Sequence, residues 1–136
     1  MSQVGVIVGS QSDMETMDHC IETLEQLDIT YDLIIKSAHR DPLGVREWVE
    51  QAEEVGNRVI IAAAGMSAAL PGFCASLTKL PVIGVPMKSE LDYWDSLLSI
   101  SQMPSGVPVA CMSCGRAGAI NAALFAHKIL LTTTND

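Results

Sequence analysis

Short apolar runs alternate along this chain with longer stretches of helical period. The first run, Val4-Gly5-Val6-Ile7-Val8-Gly9, is nearly continuous and β-branched, the pattern of a strand buried on both faces. Ser12 or Asp13 can cap the helix that follows, and Met14, Met17, Ile21, Leu24 and Leu27 give that helix one apolar stripe. A second strand is expected near Tyr31 to Lys36, then the polar stretch Ser37-Ala38-His39-Arg40-Asp41-Pro42. Pro42 suits a first helical turn, and the helix it opens is expected to run to about Glu54, with Gly56 as its stop.

Val59-Ile60-Ile61-Ala62-Ala63-Ala64 reads as a third buried strand, with a helix from roughly Ser67 to Leu77 behind it. Pro81 to Pro86 is a short fourth strand, and a polar loop leads to a segment around Trp94 to Ser101. Val107 to Cys111 gives a fifth strand, Gly115 to Leu131 an Ala-rich helix, and Thr132 to Asp136 a frayed end. Strands alternating with helices through short connections imply right-handed βαβ crossovers and a parallel sheet. The expectation is an α/β fold in a single domain over 1–136: a three-layer, flavodoxin-like (Rossmann-like) sheet of five parallel strands in the order 2-1-3-4-5.

Composition changes this picture in two ways. Hydrophobic residues are 49 % of the chain and charged residues 18 %, which is apolar for a monomer and points to surface buried between subunits. The net charge of −8, with no basic cluster, argues against nucleic acid as a partner. With no signal peptide and no run long enough to cross a membrane, a cytoplasmic location and free thiols are expected for Cys20, Cys74, Cys111 and Cys114. Cys111-Met112-Ser113-Cys114 has CxxC spacing, but no second ligand pair accompanies it, so a strand-end thiol followed by a loop thiol is the plainer reading.

Candidate chemistry collects in the loops that leave the carboxyl ends of the strands. Gly9-Ser10-Gln11-Ser12-Asp13 runs into a helix and can serve either as a phosphate cradle or as a simple N-cap. His39 and Arg40, beside Ser37, put a titratable imidazole next to a guanidinium: either a proton carrier with a holder of an anionic substrate, or a satisfied surface histidine with a solvated arginine, the strand-end position favouring the first. His19 and His127 fall inside helices and read as structural. The small-residue loop Ala64 to Gly72 lets a planar ligand approach the backbone, or lets a strand pack closely on a helix. Lys88 to Leu97 and Gln102 to Gly106 are long enough to act as a lid. No Walker loop, no GxGxxG and no carboxylate cluster is present, so neither a dinucleotide nor a metal cofactor is expected.

Taken in series, GSQSD, SAHRDP, AGMSAALPG and IGVP…DSLLSISQMPSGVPVA resemble the PurE family, which carboxylates aminoimidazole ribonucleotide in purine biosynthesis, and the match runs from Val4 to Leu131. The resemblance implies a homo-octamer with active sites between neighbours and a small-molecule substrate: aminoimidazole ribonucleotide or its carboxylated forms, with carbon dioxide. It implies that Ser10, Ser12 and Arg40 bind the 5′-phosphate, that Asp13 binds the ribose hydroxyls, and that His39 is the proton shuttle. Gly65 to Leu70 (Gly65, Met66, Ser67, Ala69 and Leu70 among them), with Met103-Pro104, would enclose the aminoimidazole and carbon dioxide, and Ser37 is a further substrate-binding candidate.

The chain departs from the class I pattern, in which the carboxylate migrates from the exocyclic nitrogen to the ring carbon. Met66 stands for a glycine of that loop, Ala69 for its histidine, and Asp41 for the usual threonine. Ser67, Ala69 and Leu70 lean toward the class II loop of enzymes that add carbon dioxide directly, yet Met66 and Ala68 do not match its arginine and asparagine. Many relatives also continue into a further helix. A mutase is the leading expectation. A direct carboxylase, a paralogue acting on another ribonucleotide and a binding-only subunit are the alternatives.

Overall fold

The computed structural model describes residues 1–133. Five strands form one sheet: β1 (Val4–Val8), β2 (Tyr31–Ile35), β3 (Val59–Ala64), β4 (Val82–Pro86) and β5 (Ala110–Cys111), in the order β2-β1-β3-β4-β5 and parallel throughout. The helices are α1 (Met14–Gln26), α2 (Pro42–Glu50), α3 (Ala69–Leu77), α4 (Trp94–Ser101) and α5 (Gly115–Thr132). This is the expected flavodoxin-like arrangement.

The pleat of the central strands sorts their side chains between two cores. Val4, Val6 and Val8 with Val59, Ile61 and Ala63 face α1 and α5, meeting Met17, Cys20, Leu24 and the small stripe Ala119, Ala122, Ala123 and Ala126. Ile7, Ile60, Ala62 and Val82 face the other way, against Val45 and Val49 of α2, Cys74 of α3 and Ile100 of α4. Burying each Val or Ile contributes about 1.5–3 kcal/mol, so strands β1, β3 and β4 hold the two layers of helices together. β2 lies at the edge of the sheet, and its Leu33 and Ile35 are partly exposed.

Several expected boundaries move. The second helix stops at Glu50, because Ala52 and Gly56 bond back only three residues and Asn57 then returns to the Ala52 carbonyl. Gly56, at φ +99°, completes that turn where another residue would be strained. The third helix opens at Ala69 rather than Ser67, after the left-handed Met66 (φ +57°). The fifth strand shrinks to Ala110–Cys111, since Pro104 and Pro108 break the ladder before it. Neither Ser12 nor Asp13 caps α1 through its side chain; Ser10 instead caps a single 3-10 turn, Gln11–Asp13, that leads into the helix. Of the expected frayed end, Thr132 closes α5, and 134–136 lie outside the described residues.

Candidate active site

The strand register brings the polar loops to one level. Val8 lies opposite both Ile35 and Ala63, and Ala64 opposite Pro86. Beyond the strands the ladder continues: Lys36 N donates to Val8 O (2.9 Å), Gly9 N to Ala63 O (3.0 Å), Met87 N to Ala64 O (3.0 Å) and Met112 N to Gly84 O (2.9 Å). The roots of all the loops are therefore fixed by backbone, and what varies above them is side chain.

In the first loop Ser10 Oγ accepts from Ser12 N at 3.3 Å and lies 2.9 Å from Ser12 Oγ, while Asp13 N donates to Ser10 O at 3.0 Å. Both serines are exposed and Asp13 is half-buried. Burial pushes the Asp13 carboxyl above its ordinary value, because ionising it there costs hydration. The α1 start has no side-chain cap, and the two serine hydroxyls lie in the turn before it, the setting in which a helix N-terminus can accept an anion.

The second loop is a tight turn closed by side chains. Ser37 O accepts from Asp41 N at 2.8 Å and Ser37 Oγ from Arg40 N at 3.3 Å. Asp41 Oδ1 accepts from Gly44 N at 3.0 Å, capping α2, and its Oδ2 accepts from Lys36 Nζ at 2.9 Å. The Lys36 bond, then the Gly44 amide, hold the Asp41 carboxyl below its ordinary value. His39 and Arg40 are exposed, and among the described residues neither side chain has a hydrogen-bond or ion-pair partner.

The third loop approaches the fourth so closely that a β-carbon on Gly65 would lie 3.3 Å from Lys88 O. Met66 sits in the left-handed region at φ +57° with 69 % of its surface exposed. Ser67 and Ala69 are exposed too, whereas Leu70 is 2 % exposed. The Leu70 side chain runs under the first loop, 3.8 Å from where a β-carbon on Gly9 would be, so it forms floor rather than wall. α3 likewise begins without a side-chain cap.

The expected lid is tied down at its first half. Ser89 Oγ donates to the Asp95 carboxylate at 2.6 and 2.8 Å, Ser89 and Asp92 form a small antiparallel bridge, and the buried Ser96 Oγ donates to Met87 O at 2.8 Å. Met103 packs on α3, its Sδ and Cε 3.0 and 2.9 Å from a β-carbon position on Gly72. Cys111 and Cys114 are free thiols, half-buried at the end of β5 and at the N-cap of α5. Cys20 and Cys74 are buried, which pushes both thiols up to about 12. No group of three or more His, Cys, Asp or Glu side chains is gathered for a metal among the described residues.

The structure thus collects Ser10, Ser12, Asp13, Ser37, His39, Arg40, Gly65, Met66, Ser67 and Ala69 in loops along one edge of the sheet. Sequence reasoning missed the Lys36–Asp41 pair. An Asp directly before a Pro at a helix start is an N-cap signature, which signals the Asp41–Gly44 bond but not the reach of Lys36.

Known proteins resemble this chain along nearly its whole length. The AIR carboxylase family model matches residues 3–136. The N5-carboxyaminoimidazole ribonucleotide mutase of Bacillus subtilis is 53 % identical over 134 residues, covering 98 % of this chain and 83 % of the relative. The mutase of that name from Saccharolobus solfataricus is 53 % identical over 131 residues, covering 96 % and 82 %. The crystal structure of Treponema denticola PurE superposes with a TM-score of 0.86 at 30 % identity, covering 97 % of this chain and 82 % of that one. The chain belongs to the AIR carboxylase (PurE) family.

Proposed function

We propose that the protein is an N5-carboxyaminoimidazole ribonucleotide mutase of purine biosynthesis, an isomerase that moves a carboxylate from the exocyclic nitrogen to a ring carbon. The observation that carries this reading is the carboxyl edge of the sheet: His39 and Arg40 stand side by side, exposed and without a side-chain partner among the described residues, on the same edge as a hydroxyl-rich helix start. The 53 % identical mutases support it.

The chemistry asks little more of the chain. Releasing carbon dioxide from the exocyclic nitrogen requires a proton at that nitrogen. Attack of the ring carbon on carbon dioxide then leaves a hydrogen there, which must depart to restore aromaticity. One group can deliver the first proton and remove the second, and His39 is assigned that shuttle. Arg40, Ser10 and Ser12 hold the 5′-phosphate over the α1 start, with Ser37 beside them, and Asp13 binds the ribose hydroxyls. Gly65, Met66, Ser67 and Ala69 face the aminoimidazole, with Leu70 beneath. No step requires a metal or an organic cofactor.

Carbon dioxide has to be held away from water between the two steps. His39, Arg40, Met66, Ser67 and Ala69 are exposed at this edge of the lone chain, and two hollows of about 480 and 630 Å3 lie at the opposite edge, around Ser76–Lys79 and around Asn57, Arg58 and Pro81. Exposed Leu91 (64 %), Trp94 (68 %) and Leu98 (51 %) follow the fourth loop onto α4. A second copy of the chain covering this apolar rim would complete the enclosure, in a homo-oligomer of octameric form. Gel filtration above monomer mass is the expected result.

The deciding experiment supplies the N-carboxylated ribonucleotide in one reaction, and aminoimidazole ribonucleotide with bicarbonate in another. Ring-carboxylated product arising faster from the first is the expected outcome. Faster product from the second would replace the mutase with a direct carboxylase, and product from neither would overturn the reading.

A further inference from the structure

We infer that Lys36 and Asp41 form a clamp that positions His39 and Arg40. This inference rests on the site assigned above, and neither clamp residue is given contact with substrate. The four residues from Ser37 to Arg40 leave an edge strand, and their two functional side chains have no partner of their own among the described residues. Such a loop would ordinarily sample many conformations. Here both of its ends are tied by a single carboxylate.

Asp41 Oδ2 takes the Lys36 ammonium at 2.9 Å, and Lys36 is itself anchored through its backbone N on Val8 O at 2.9 Å. Asp41 Oδ1 takes the Gly44 amide at 3.0 Å, in the first turn of α2. The side chain therefore joins the end of β2 to the start of α2, and the His39–Arg40 turn is closed into a ring. Within that ring the Ser37 carbonyl and hydroxyl take the Asp41 and Arg40 amides. The depressed Asp41 carboxyl agrees with this, since both contacts favour its ionised form.

Energetics separates a clamp from an ordinary structural contact. The Lys36 and Asp41 side chains are 34 % and 48 % exposed, and an ion pair in that setting adds little to global stability. Its value lies in geometry: a reacting group displaced by about 1 Å can cost about a hundredfold in rate. Kinetics is expected to move where melting temperature does not.

The test compares Lys36→Met, Asp41→Asn, the double variant and Lys36→Arg. Asn keeps an acceptor for the Gly44 amide, so Asp41→Asn removes the charge and spares the cap. Each single variant is expected to lower kcat/KM about fivefold to tenfold, with the melting temperature within about 2 °C of wild type. The double variant is expected to be no worse than either single, the mark of one shared device. Lys36→Arg, which also reaches a carboxylate, is expected to recover most of the loss. Amide hydrogen exchange at Ala38, His39 and Arg40 supplies a readout independent of activity, and both single variants are expected to quicken it.

Single variants with wild-type kcat/KM and wild-type exchange would overturn the clamp. So would a split in which Lys36→Met raises KM while Asp41→Asn lowers it, because Lys36 would then be an anion ligand that Asp41 restrains. A His39→Asn protein with undiminished turnover would instead sink the assigned site, and exchange at the three amides would still decide the clamp.

Discussion

The two edges of the sheet are built from similar residues and use them differently. At the amino edge, polar side chains pair across elements: Ser2 Oγ donates to Asn57 Oδ1 at 2.9 Å, Gln3 and Thr30 exchange bonds at 3.0 and 3.1 Å, and Trp48 Nε1 donates to Asp32 Oδ2 at 2.9 Å. At the carboxyl edge the bonds join residues near in sequence, Ser10 with Ser12, Ser37 with Arg40 and Lys36 with Asp41, while among the described residues His39 and Arg40 have no side-chain partner. The first arrangement spends polar groups on holding the fold. The second shapes each loop with short-range bonds and leaves the His39 and Arg40 side chains exposed, as expected where an open α/β sheet binds a ligand.

Substitutions at the two edges are therefore expected to move different observables. His39→Asn is the strongest case: turnover is expected to fall by at least about a hundredfold, the usual size of a lost acid–base group, with nucleotide binding and melting temperature retained. Its counterpart is Gly5→Ala. A β-carbon on Gly5 would lie 2.6 Å from Asn57 Nδ2 and 2.9 Å from Trp48 Cη2, deep in the amino edge. Overpacking there is expected to cost about 1–3 kcal/mol, a fall of roughly 3–10 °C in melting temperature, with KM unchanged below the transition. Loss of substrate affinity in folded Gly5→Ala would break the division between the edges.

The same division governs what the sequence made legible. β1, β3 and β4 could be read because strands buried on both faces need unbroken apolar runs; short right-handed crossovers imply a parallel sheet, and the strand order came from the common layout that fits the chain's length. β5 was overdrawn because Val107 and Val109 look like strand while Pro108 has no amide for a ladder. α2 was overdrawn because Glu53 and Glu54 favour helix, although the chain has to turn at Ala52 to reach β3. In the site, His39, Arg40 and the Ser10–Asp13 turn were visible as polar residues directly after apolar runs. The burial of Leu70 and the reach of Lys36 to Asp41 were not, since neither follows any period along the chain.

Two carboxylates of the carboxyl edge titrate in opposite directions and sharpen the comparison further. Asp41 is depressed, so it adds stability above its unfolded value and loses that contribution as pH falls through the folded one. Asp13 is raised by burial: the folded state holds its proton more tightly, so its favourable term exists below the unfolded value and is lost as pH rises through the folded value. Near neutrality an ionised Asp13 is thus a cost to the fold. Asp13→Asn is expected to raise the melting temperature near neutral pH, to give no such gain in acid, and to weaken substrate binding if the carboxylate holds the ribose. A melting temperature lowered near neutrality would show that Asp13 belongs with the structural carboxylates instead.

The smallest effect tests the most exposed departure from the family pattern. Met66 stands at φ +57°, a conformation that costs a residue with a β-carbon about 1 kcal/mol and glycine almost nothing. Its side chain is 69 % exposed, so little packing in the lone chain offsets that strain. A glycine at this position would relieve the strain and lose some of the gain to its freer unfolded state. Met66→Gly is expected to raise the melting temperature by a few degrees at most, roughly 1–3 °C. If the thioether lies against the aminoimidazole, KM is expected to rise about twofold to threefold at the same time. A more stable protein that binds its substrate less well would mean that the strain at Met66 is kept for the ligand. Greater stability with unchanged KM would place Met66 outside the site, leaving Ser67 and Ala69 as the ligand-facing residues of that loop.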